Sequence, residues 1–351
     1  MDYSSYFKNK NIVITGHTGF KGSWLSQWLY MLGAKINAFS LDVPSNPAHY
    51  NELNIKYSSD ERINLINSDK VFEFITDKSP DYLFHLAAQP LVLESYKDQY
   101  NTYMYNTMGT LNILEALKRY NKNCVAIIIT SDKCYENLDD KIDYKEDDRL
   151  GGLDPYSTSK ASAELIFRGY TNSFFKTKNS NIRACTTRAG NVIGGGDWAL
   201  DRIVPDCFRS WARGDEVQLR NPNATRPWQH VLDPLNGYLS LACHLTENAA
   251  LNGESFNFGP SSSYSVSTLV ENLSNFYKSA KWSIASNLDS PHEAKLLSLN
   301  CDKSYKVLNI IQKLNLKDTS EWTSSWYQSF YSNGDISIKT MNQIEEFMSL
   351  D

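Results

Sequence analysis

Apolar runs and amphipathic stretches alternate along the first half of the chain. Short, almost wholly apolar runs predict buried parallel strands, and apolar positions that recur every three or four residues predict helices. We predict strands at 11–15, 34–41, 62–66, 81–88, 123–131 and 181–188. We predict helices at 23–32, 69–78, 106–120 and 156–167. Strands and helices in this order form a parallel sheet with helices on both faces and right-handed crossovers.

The link between the first strand and the first helix is rich in glycine. Gly16, Gly19 and Gly22 follow a G-x-x-G-x-x-G spacing there. Glycine lets the backbone come close to a pyrophosphate, and the start of a helix offers unpaired N–H groups and a partial positive charge. The turn therefore predicts a dinucleotide-binding site, and the alternative is an ordinary strand-to-helix turn.

A carboxylate stands at the end of the second predicted strand. Asp42 lies about 20 residues after Gly22, where a dinucleotide-binding fold places the acid that binds the adenosine ribose. An acid at this position favours NAD over NADP, because it would repel a 2′-phosphate. The alternative is an exposed carboxylate that begins the loop at 43–47.

These features predict an α/β fold with a Rossmann-type, doubly wound parallel sheet and a smaller, partly interleaved C-terminal substrate domain. Past residue 190 polar and aromatic loops replace the regular pattern, and we expect a strand at 254–258 to rejoin the sheet. Residues 1–189 are expected to bind the dinucleotide, with 230–262 returning to that domain. The substrate domain would comprise 190–229 and 263–351, with helices at 266–280 and 319–331. The cleft between the two domains is the expected substrate site.

Two residues of one predicted helix have the chemistry of an acid/base pair. Tyr156 and Lys160 are four residues apart, so both side chains point to the same face of the helix. We expect the Lys160 ammonium to lower the pKa of the Tyr156 phenol, which would let tyrosine take a proton from an alcohol. Ser131, at the end of the most apolar strand, is placed to hold that alcohol beside Tyr156.

Composition excludes several classes of protein. The chain has 351 residues, is 41% hydrophobic and carries a net charge of −5, which gives no reason to expect nucleic acid or an anionic membrane as a partner. We expect a cytoplasmic protein, since no signal peptide or membrane-spanning run is evident and the six scattered cysteines resemble reduced thiols. The histidines have no metal-ligand spacing, so no metal is expected.

Several longer motifs carry a resemblance to a known family. They are T-G-H-T-G-F-K-G-S-W at 15–24, H-L-A-A-Q-P-L-V at 85–92, S-D-K at 131–133, R-A-G-N-V-I-G-G-G-D-W at 188–198, R-P-W-Q-H-V at 226–231 and H-E-A at 292–294. With the Tyr156/Lys160 pair, they resemble the extended short-chain dehydrogenases/reductases that act on nucleotide sugars. The glycine motif, S-D-K and R-P-W-Q-H-V are similar to the subgroup of CDP-glucose 4,6-dehydratases.

The resemblance implies NAD as cofactor and CDP-glucose, or a related nucleotide sugar, as substrate. It implies that Tyr156, Lys160 and Ser131 support oxidation at C4 of the sugar. Water is then lost across C5 and C6, for which we assign Asp132 as the acid and Lys133 as the base. Related dTDP-glucose dehydratases have Asp-Glu at this place, and a lysine base would need burial to lower its pKa. The alternative for Asp132 and Lys133 is a solvated turn.

The same resemblance implies two further sets of contacts. The residues expected to contact the cofactor are Gly16, His17, Thr18, Gly19, Phe20, Lys21, Gly22, Asp42, Leu86, Ala87, Ala88, Gln89, Tyr156 and Lys160. The residues expected to contact the substrate are Asn106, Arg188, Asn191, Arg202, Arg220, Arg226, His230 and Glu293. Arginine suits a diphosphate because of its bidentate fork. Alternatively, Arg188 caps its strand, and His230 belongs to the core.

Three other functions stay open at this stage. They are a 4,6-dehydratase for another nucleotide sugar, a nucleotide-sugar 4-epimerase, and a non-catalytic dinucleotide sensor. The Asp132-Lys133 pair argues against an epimerase, and the retained Tyr156/Lys160 pair argues against a sensor. A homodimer or homotetramer through the helices at 106–120 and 156–170 is also expected.

Overall fold

The computed structural model describes residues 1–137, 143–285 and 298–350, and it has α/β architecture. Its strands are β1 (Asn11–Thr15), β2 (Lys35–Ser40), β3 (Ser59–Arg62), β4 (Tyr82–His85), β5 (Cys124–Ile129), β6 (Asp143–Tyr144), β7 (Ile182–Ala189), β8 (Val192–Ile193), β9 (Val217–Leu219), β10 (Thr225–Arg226), β11 (Gln229–His230), β12 (Ser255–Phe258), β13 (Tyr264–Ser265), β14 (Trp282–Ile284) and β15 (Ser298–Leu299). Its α-helices are α1 (Ser4–Phe7), α2 (Phe20–Met31), α3 (Ser68–Lys78), α4 (Val92–Lys97), α5 (Gln99–Tyr103), α6 (Gly109–Tyr120), α7 (Pro155–Tyr170), α8 (Ile203–Ala212), α9 (Leu232–Glu247), α10 (Val266–Asn275), α11 (Asp302–Leu308), α12 (Leu316–Tyr331) and α13 (Ile336–Ser349).

The central sheet has seven strands in the order β12-β7-β5-β4-β1-β2-β3. All neighbouring pairs are parallel, which confirms the predicted fold class. The strand order reverses between β1 and β4, so the loops that follow these two strands diverge and leave a crevice at the carboxyl edge of the sheet. In doubly wound folds ligands bind at such a point.

Both faces of the sheet are buried because its strands are apolar at successive positions. Ile12 and Ile14 of β1 belong to a core cluster that also contains residues of α2, α9 and α13. Val13, between them, belongs to a second cluster with residues of α3, α6 and α7. Successive side chains of a strand point to opposite faces, so two-sided burial accounts for the continuous apolar runs. In the described part of the chain, no helix combines the length and apolarity needed to cross a membrane.

The later part of the chain returns to the sheet and to α2. Strand β12 pairs with β7 along its whole length. The glycine loop after β8 lies against α2 and α12, since Trp24 donates to the Gly195 carbonyl (2.8 Å) and a Cβ on Gly195 would overlap the Trp326 ring. The division of the chain into dinucleotide and substrate domains stays a prediction.

Several element bounds differ from those expected. The strand expected at 62–66 is β3 at Ser59–Arg62, a polar edge strand, while Ile63 and Leu65 pack into the core beyond its end. Helix α2 begins at Phe20 instead of residue 23, so Lys21 and Gly22 are in its first turn. A π-helical turn (Met104–Met108) precedes α6, and α13 was not expected.

Two helical glycines should respond to alanine in opposite ways. Gly169 is exposed in α7 and has open space where a Cβ would go, so Gly169→Ala should raise the free energy of unfolding by about 0.5–1 kcal/mol. Gly237 in α9 faces Phe258, whose ring atoms would lie 2.5 Å from a Cβ. Gly237→Ala should therefore lower the free energy of unfolding by about 1–3 kcal/mol. Urea denaturation measures both, and changes of the same sign would contradict this packing.

Candidate active site

The glycine turn has the shape of a pyrophosphate cradle. A Cβ on Gly22 would lie 2.1 Å from the Gly16 carbonyl oxygen, and one on Gly16 would lie 2.6 Å from the Ala87 nitrogen. The turn is therefore tightly closed on itself, and at Gly16 it packs directly against the loop after β4. Gly19 precedes α2 and makes no side-chain cap, and the nearest atom to a Cβ there would be the Gly16 carbonyl oxygen, at 3.4 Å. The first amides of α2 thus keep the unpaired N–H groups that suit the diphosphate of a dinucleotide.

His17 fastens this turn to the neighbouring strands. Its ring is fully buried, with Nδ1 2.9 Å from the Ser40 hydroxyl and Nε2 2.9 Å from the Asp60 carboxylate. Burial lowers the pKa of His17, although Asp60 opposes the shift. Thr18 donates to the Asp42 carbonyl at 2.6 Å, and the exposed Asp42 carboxylate accepts from the amide of Val43. The turn and Asp42 are thus brought together, but the His17 side chain is used inside the protein.

Lys21 extends towards α9. Its Nζ donates to the Tyr238 hydroxyl at 3.4 Å. Burial, together with the positive charge of Arg202, lowers the pKa of Lys21 to about 8, and Asp132 opposes that shift. The charges of Asp132 and Arg202 therefore act on Lys21, although Lys21 is part of the glycine motif in the sequence.

The loop after β4 is held in place by Asn106. Its Oδ1 accepts from the Gln89 amide (2.8 Å), and its Nδ2 donates to the Gln89 carbonyl (3.1 Å) and to the Ser159 hydroxyl (2.9 Å). Leu86 and Ala87 are held from the other side by the carbonyl and hydroxyl of Thr15. Asn106 was expected to contact substrate. Because both Nδ2 hydrogens are used by the protein, it instead joins the Leu86–Gln89 loop, which also contains Ala88, to α7.

Tyr156 and Lys160 lie buried on α7, which begins where Asp154 caps it by accepting from the Ser157 amide (2.9 Å). Burial raises the pKa of Tyr156 to about 12, and the Ser131 side chain is close enough to oppose that shift. Burial also lowers the pKa of Lys160 to about 8, with a further contribution from Lys21. The Tyr156 pKa is therefore raised in the chain alone, against the expectation, because desolvation by burial dominates over the opposing effects of Ser131 and Arg202.

Asp132 is a buried carboxyl group, and only one of its two oxygens accepts a hydrogen bond from the described residues. Its Oδ1 accepts from the Ser131 hydroxyl at 3.0 Å, whereas Oδ2 has no hydrogen-bond partner among the described residues. Burial raises the pKa of Asp132 against the opposing effects of Lys133, Ser131, Arg226 and Lys21. Lys133 is only partly buried, and its amide donates to the Ser131 hydroxyl at 3.2 Å. A protonated Asp132 can donate through Oδ2, as a general acid must.

Two of the expected arginines lie near this group. Arg202 donates to the Asp197 carboxylate at 2.9 Å, and its charge lowers the pKa of Tyr156 against the dominant effect of burial. Arg226 is buried and lies close enough to affect Asp132. Of the remaining candidates, Arg220 is exposed beyond β9, and Asn191 is partly buried just after β7.

Two expected substrate residues have other roles. All five N–H groups of Arg188 donate within the protein, to Glu164, Tyr135, Ser255 and the carbonyl of Glu146, so none remains for a phosphate. His230 is fully buried, and its ring lies between Trp24 and Trp322 at centroid distances of 6.0 and 5.7 Å. Burial lowers the pKa of His230 to about 3, which is typical of a core histidine.

Glu293, the last candidate, lies with His292 outside the described residues. Glu164 and Tyr238 were not anticipated. The position of Glu164 on α7, four residues after Lys160, would have placed it on the same helical face. Nothing in the local pattern connects Tyr238 with Lys21, because 217 residues separate them.

Comparison with known proteins identifies the family. A model of the NAD dependent epimerase/dehydratase family matches residues 12–259. The chain belongs to this family. As a member of it, the protein is NAD-dependent, and the glycine cradle and Asp42 are the features of its site that suit NAD.

One curated member of the family resembles the chain over nearly its whole length. CDP-glucose 4,6-dehydratase from Salmonella typhimurium is 38% identical over 352 residues, which cover 98% of each chain. Several solved structures share the fold at lower identity. An epimerase from Methanothermobacter thermautotrophicus has a TM-score of 0.80 at 22% identity, covering 95% of this chain and 96% of its own. UDP-glucuronic acid 4-epimerase from Bacillus cereus, in complex with UDP-glucuronic acid and NAD, has a TM-score of 0.75 at 23% identity, covering 91% and 99%.

Gly19→Ala should weaken NAD binding without disturbing the fold. The added methyl group meets no protein atom closer than 3.4 Å, but it occupies the surface that a pyrophosphate must approach. We expect the Kd for NAD, measured by calorimetry, to rise by about tenfold or more, with an unchanged unfolding temperature. Gly169→Ala is the matched control and should leave the Kd unchanged. An unaltered Kd for Gly19→Ala would place the pyrophosphate elsewhere.

Proposed function

We propose that this protein is an NAD-dependent 4,6-dehydratase that converts CDP-D-glucose to CDP-4-dehydro-6-deoxy-D-glucose and water. The observation that carries the proposal is the buried Asp132, one residue after Ser131, whose Oδ2 has no partner in the part of the chain that the structure describes. Oxidation and re-reduction at C4, as in an epimerase, need no second acid. Loss of the C6 hydroxyl does need one. The similarity to the Salmonella typhimurium dehydratase over both full lengths supports the same activity and the same nucleotide.

Oxidation at C4 would use the groups around Tyr156. Tyr156 takes the proton of the sugar 4-hydroxyl, and Ser131 orients that hydroxyl by a hydrogen bond. NAD, which the glycine turn and Asp42 would hold, would supply the hydride chemistry at C4 and C6. The raised pKa of Tyr156 means that the phenol is protonated at rest, so a positive charge close to it is needed before it acts as a base. Within the protein, Lys160 and Arg202 are the positively charged side chains that we propose for this role.

Elimination would use the groups that follow Ser131. With a ketone at C4, the C5 proton becomes acidic, and Lys133 is our candidate to take it. Asp132 gives its proton to the departing C6 hydroxyl, which leaves as water, and a C5–C6 double bond forms. The burial that raises the pKa of Asp132 favours the protonated carboxyl that this step requires. After hydride reaches C6, a proton returns to C5 and completes the 6-deoxy sugar.

The diphosphate and nucleoside of the substrate would lie along Arg202 and Arg226, with Asn191 and Arg220 as further contacts. Arg202 and Arg226 are supported by their position beside Tyr156 and Asp132, respectively. We propose that 190–229 and 263–351 hold the sugar nucleotide and that 1–189, with 230–262, holds NAD. The preference for cytosine rests on the similarity to the Salmonella enzyme.

Two expectations accompany the proposal. We expect a cytoplasmic protein. We also expect a homodimer or homotetramer formed through α6 and α7, and Leu165 of α7 is an exposed apolar side chain there. Sedimentation equilibrium would measure the mass of the assembly, and a monomer would exclude this expectation.

A direct assay tests the proposed function. Purified protein with NAD⁺ and CDP-glucose should yield CDP-4-dehydro-6-deoxyglucose, which is detected by the alkali-sensitive absorbance of a 4-keto-6-deoxy sugar. Product from dTDP- or GDP-glucose but not from CDP-glucose would exclude the cytosine assignment. A galactose epimer would identify a 4-epimerase, and no turnover with any nucleotide sugar would favour a dinucleotide sensor.

Asp132→Asn should separate oxidation from water loss. The amide keeps the shape and can still accept from Ser131, but its N–H protons are not acidic enough to be transferred to the C6 hydroxyl. We expect the reduced cofactor still to form, while the rate of product formation falls by about 10²- to 10⁴-fold. Asp215→Asn, at an exposed position, is the control and should match the wild type. If oxidation and elimination were lost to the same extent, Asp132 would not be the elimination acid.

A further inference from the structure

A buried ion pair lies next to the catalytic helix. Glu164 and Arg188 form a two-pronged contact, with Nε 3.0 Å from Oε1 and Nη2 2.8 Å from Oε2. Both side chains are almost completely buried, at 2% and 3% exposure. A bidentate pair of this kind fixes two side chains in distance and in orientation. Removing either partner would leave an unpaired charge in the interior.

Glu164 belongs to the same helical face as the proposed acid/base pair. Tyr156, Lys160 and Glu164 follow each other at four-residue intervals on α7, and all three are buried. Residues at this spacing lie one above another on a helix. When Glu164 is held in place, α7 cannot readily rotate about its axis or shift towards or away from the sheet. The positions of Tyr156 and Lys160 on the same face are therefore fixed as well.

The same ion pair holds the Ser131–Lys133 turn at both of its ends. Thr130, directly before the turn, donates its hydroxyl hydrogen to Glu164 Oε1. Tyr135, two residues after the turn, accepts from Arg188 Nη1 at 2.8 Å, and its ring lies 4.9 Å from the guanidinium carbon. The Tyr135 hydroxyl in turn donates to Asn257 Oδ1 of β12 at 2.7 Å.

We propose that Glu164 and Arg188 are positioning residues that set the Ser131–Asp132–Lys133 turn in register with Tyr156 and Lys160. The assignment rests on the proposed function, because it concerns the two groups that act in turn on one sugar. Neither residue touches the substrate in this role. They act through Thr130 and Tyr135 on the turn and through α7 on the tyrosine and the lysine.

Physical chemistry explains why such a link matters here. The turn and the helix come from separate parts of the chain, and both must meet the same sugar ring. Misplacement of a reacting group by about 1 Å can cost about 10²-fold in rate. A buried, fully hydrogen-bonded ion pair is stiff, because any displacement leaves a charged donor or acceptor unsatisfied.

Two threonines that both donate to Glu164 provide a matched test. Thr130 donates to Oε1 and directly precedes the turn, whereas Thr186 lies on β7, 2.9 Å from Oε2, and its hydroxyl also contacts Ser255 of β12. Thr130→Val and Thr186→Val each remove one buried hydroxyl and keep the shape. We expect Thr130→Val to lower kcat by about tenfold or more at unchanged KM, and Thr186→Val to stay within about twofold of the wild type. Tyr135→Phe, which removes the contact at the other end of the turn, should behave like Thr130→Val.

Hydrogen exchange gives a second readout that needs no substrate. Backbone amides at 133–136 should exchange faster in Thr130→Val and Tyr135→Phe than in Thr186→Val, at similar unfolding temperatures. A role in core stability alone would lower the unfolding temperature of both threonine variants without separating their kcat values, and that result would overturn the proposal. Unchanged kcat and unchanged exchange in Thr130→Val would also overturn it. If the wild type turned over no nucleotide sugar, the proposed function would fail, while the exchange comparison would still decide whether the pair holds the turn.

Discussion

The burial of charged groups at the carboxyl edge of the sheet is the constraint on which the rest of the site depends. Asp132, Lys21 and Lys160 are buried there. Burial raises the pKa of Asp132 and lowers the pKa of both lysines, so it favours the neutral form of each group. A parallel sheet makes this possible, because it brings the ends of β1, β4, β5 and β7 to one edge while helices cover both faces. In the proposed elimination the neutral form of Asp132 is the one that is needed, because a general acid must hold its proton, whereas Lys160, with a pKa of about 8, is still mostly protonated at neutral pH and can act as a cation.

Burial also explains which charged groups take part and which support them. Arg188 satisfies all its donors inside the protein, so its charge serves the structure. Asp132 has one hydrogen-bonded oxygen and one oxygen that finds no partner among the described residues, an arrangement that costs stability unless a substrate completes it. The same comparison separates His230, which is enclosed by tryptophan rings, from Arg226, which lies beside Asp132.

Local patterns predicted the order of the main elements and the alternation that produces a doubly wound sheet. They also placed Gly16, Asp42, Ser131 and Tyr156 at strand ends or helix starts, because those features depend on neighbouring residues. Local patterns did not predict the long-range contacts. Arg188 forms its ion pair with Glu164 because β7 pairs with β5. Lys21 donates a hydrogen bond to Tyr238, which lies 217 residues away in the sequence. The rise in the Tyr156 pKa was missed for the same reason, since desolvation depends on the whole fold.

The central claim is that one active site oxidises C4, eliminates the C6 hydroxyl and returns the same hydrogen to C6. Conversion of CDP-glucose carrying deuterium at C4 tests it most directly, with the position of the label read by NMR of the product. The account predicts deuterium in the C6 methyl group of a 4-keto-6-deoxy sugar, with none released to solvent. Deuterium retained at C4 of a galactose epimer, or a 6-deoxy product without label at C6, would contradict it.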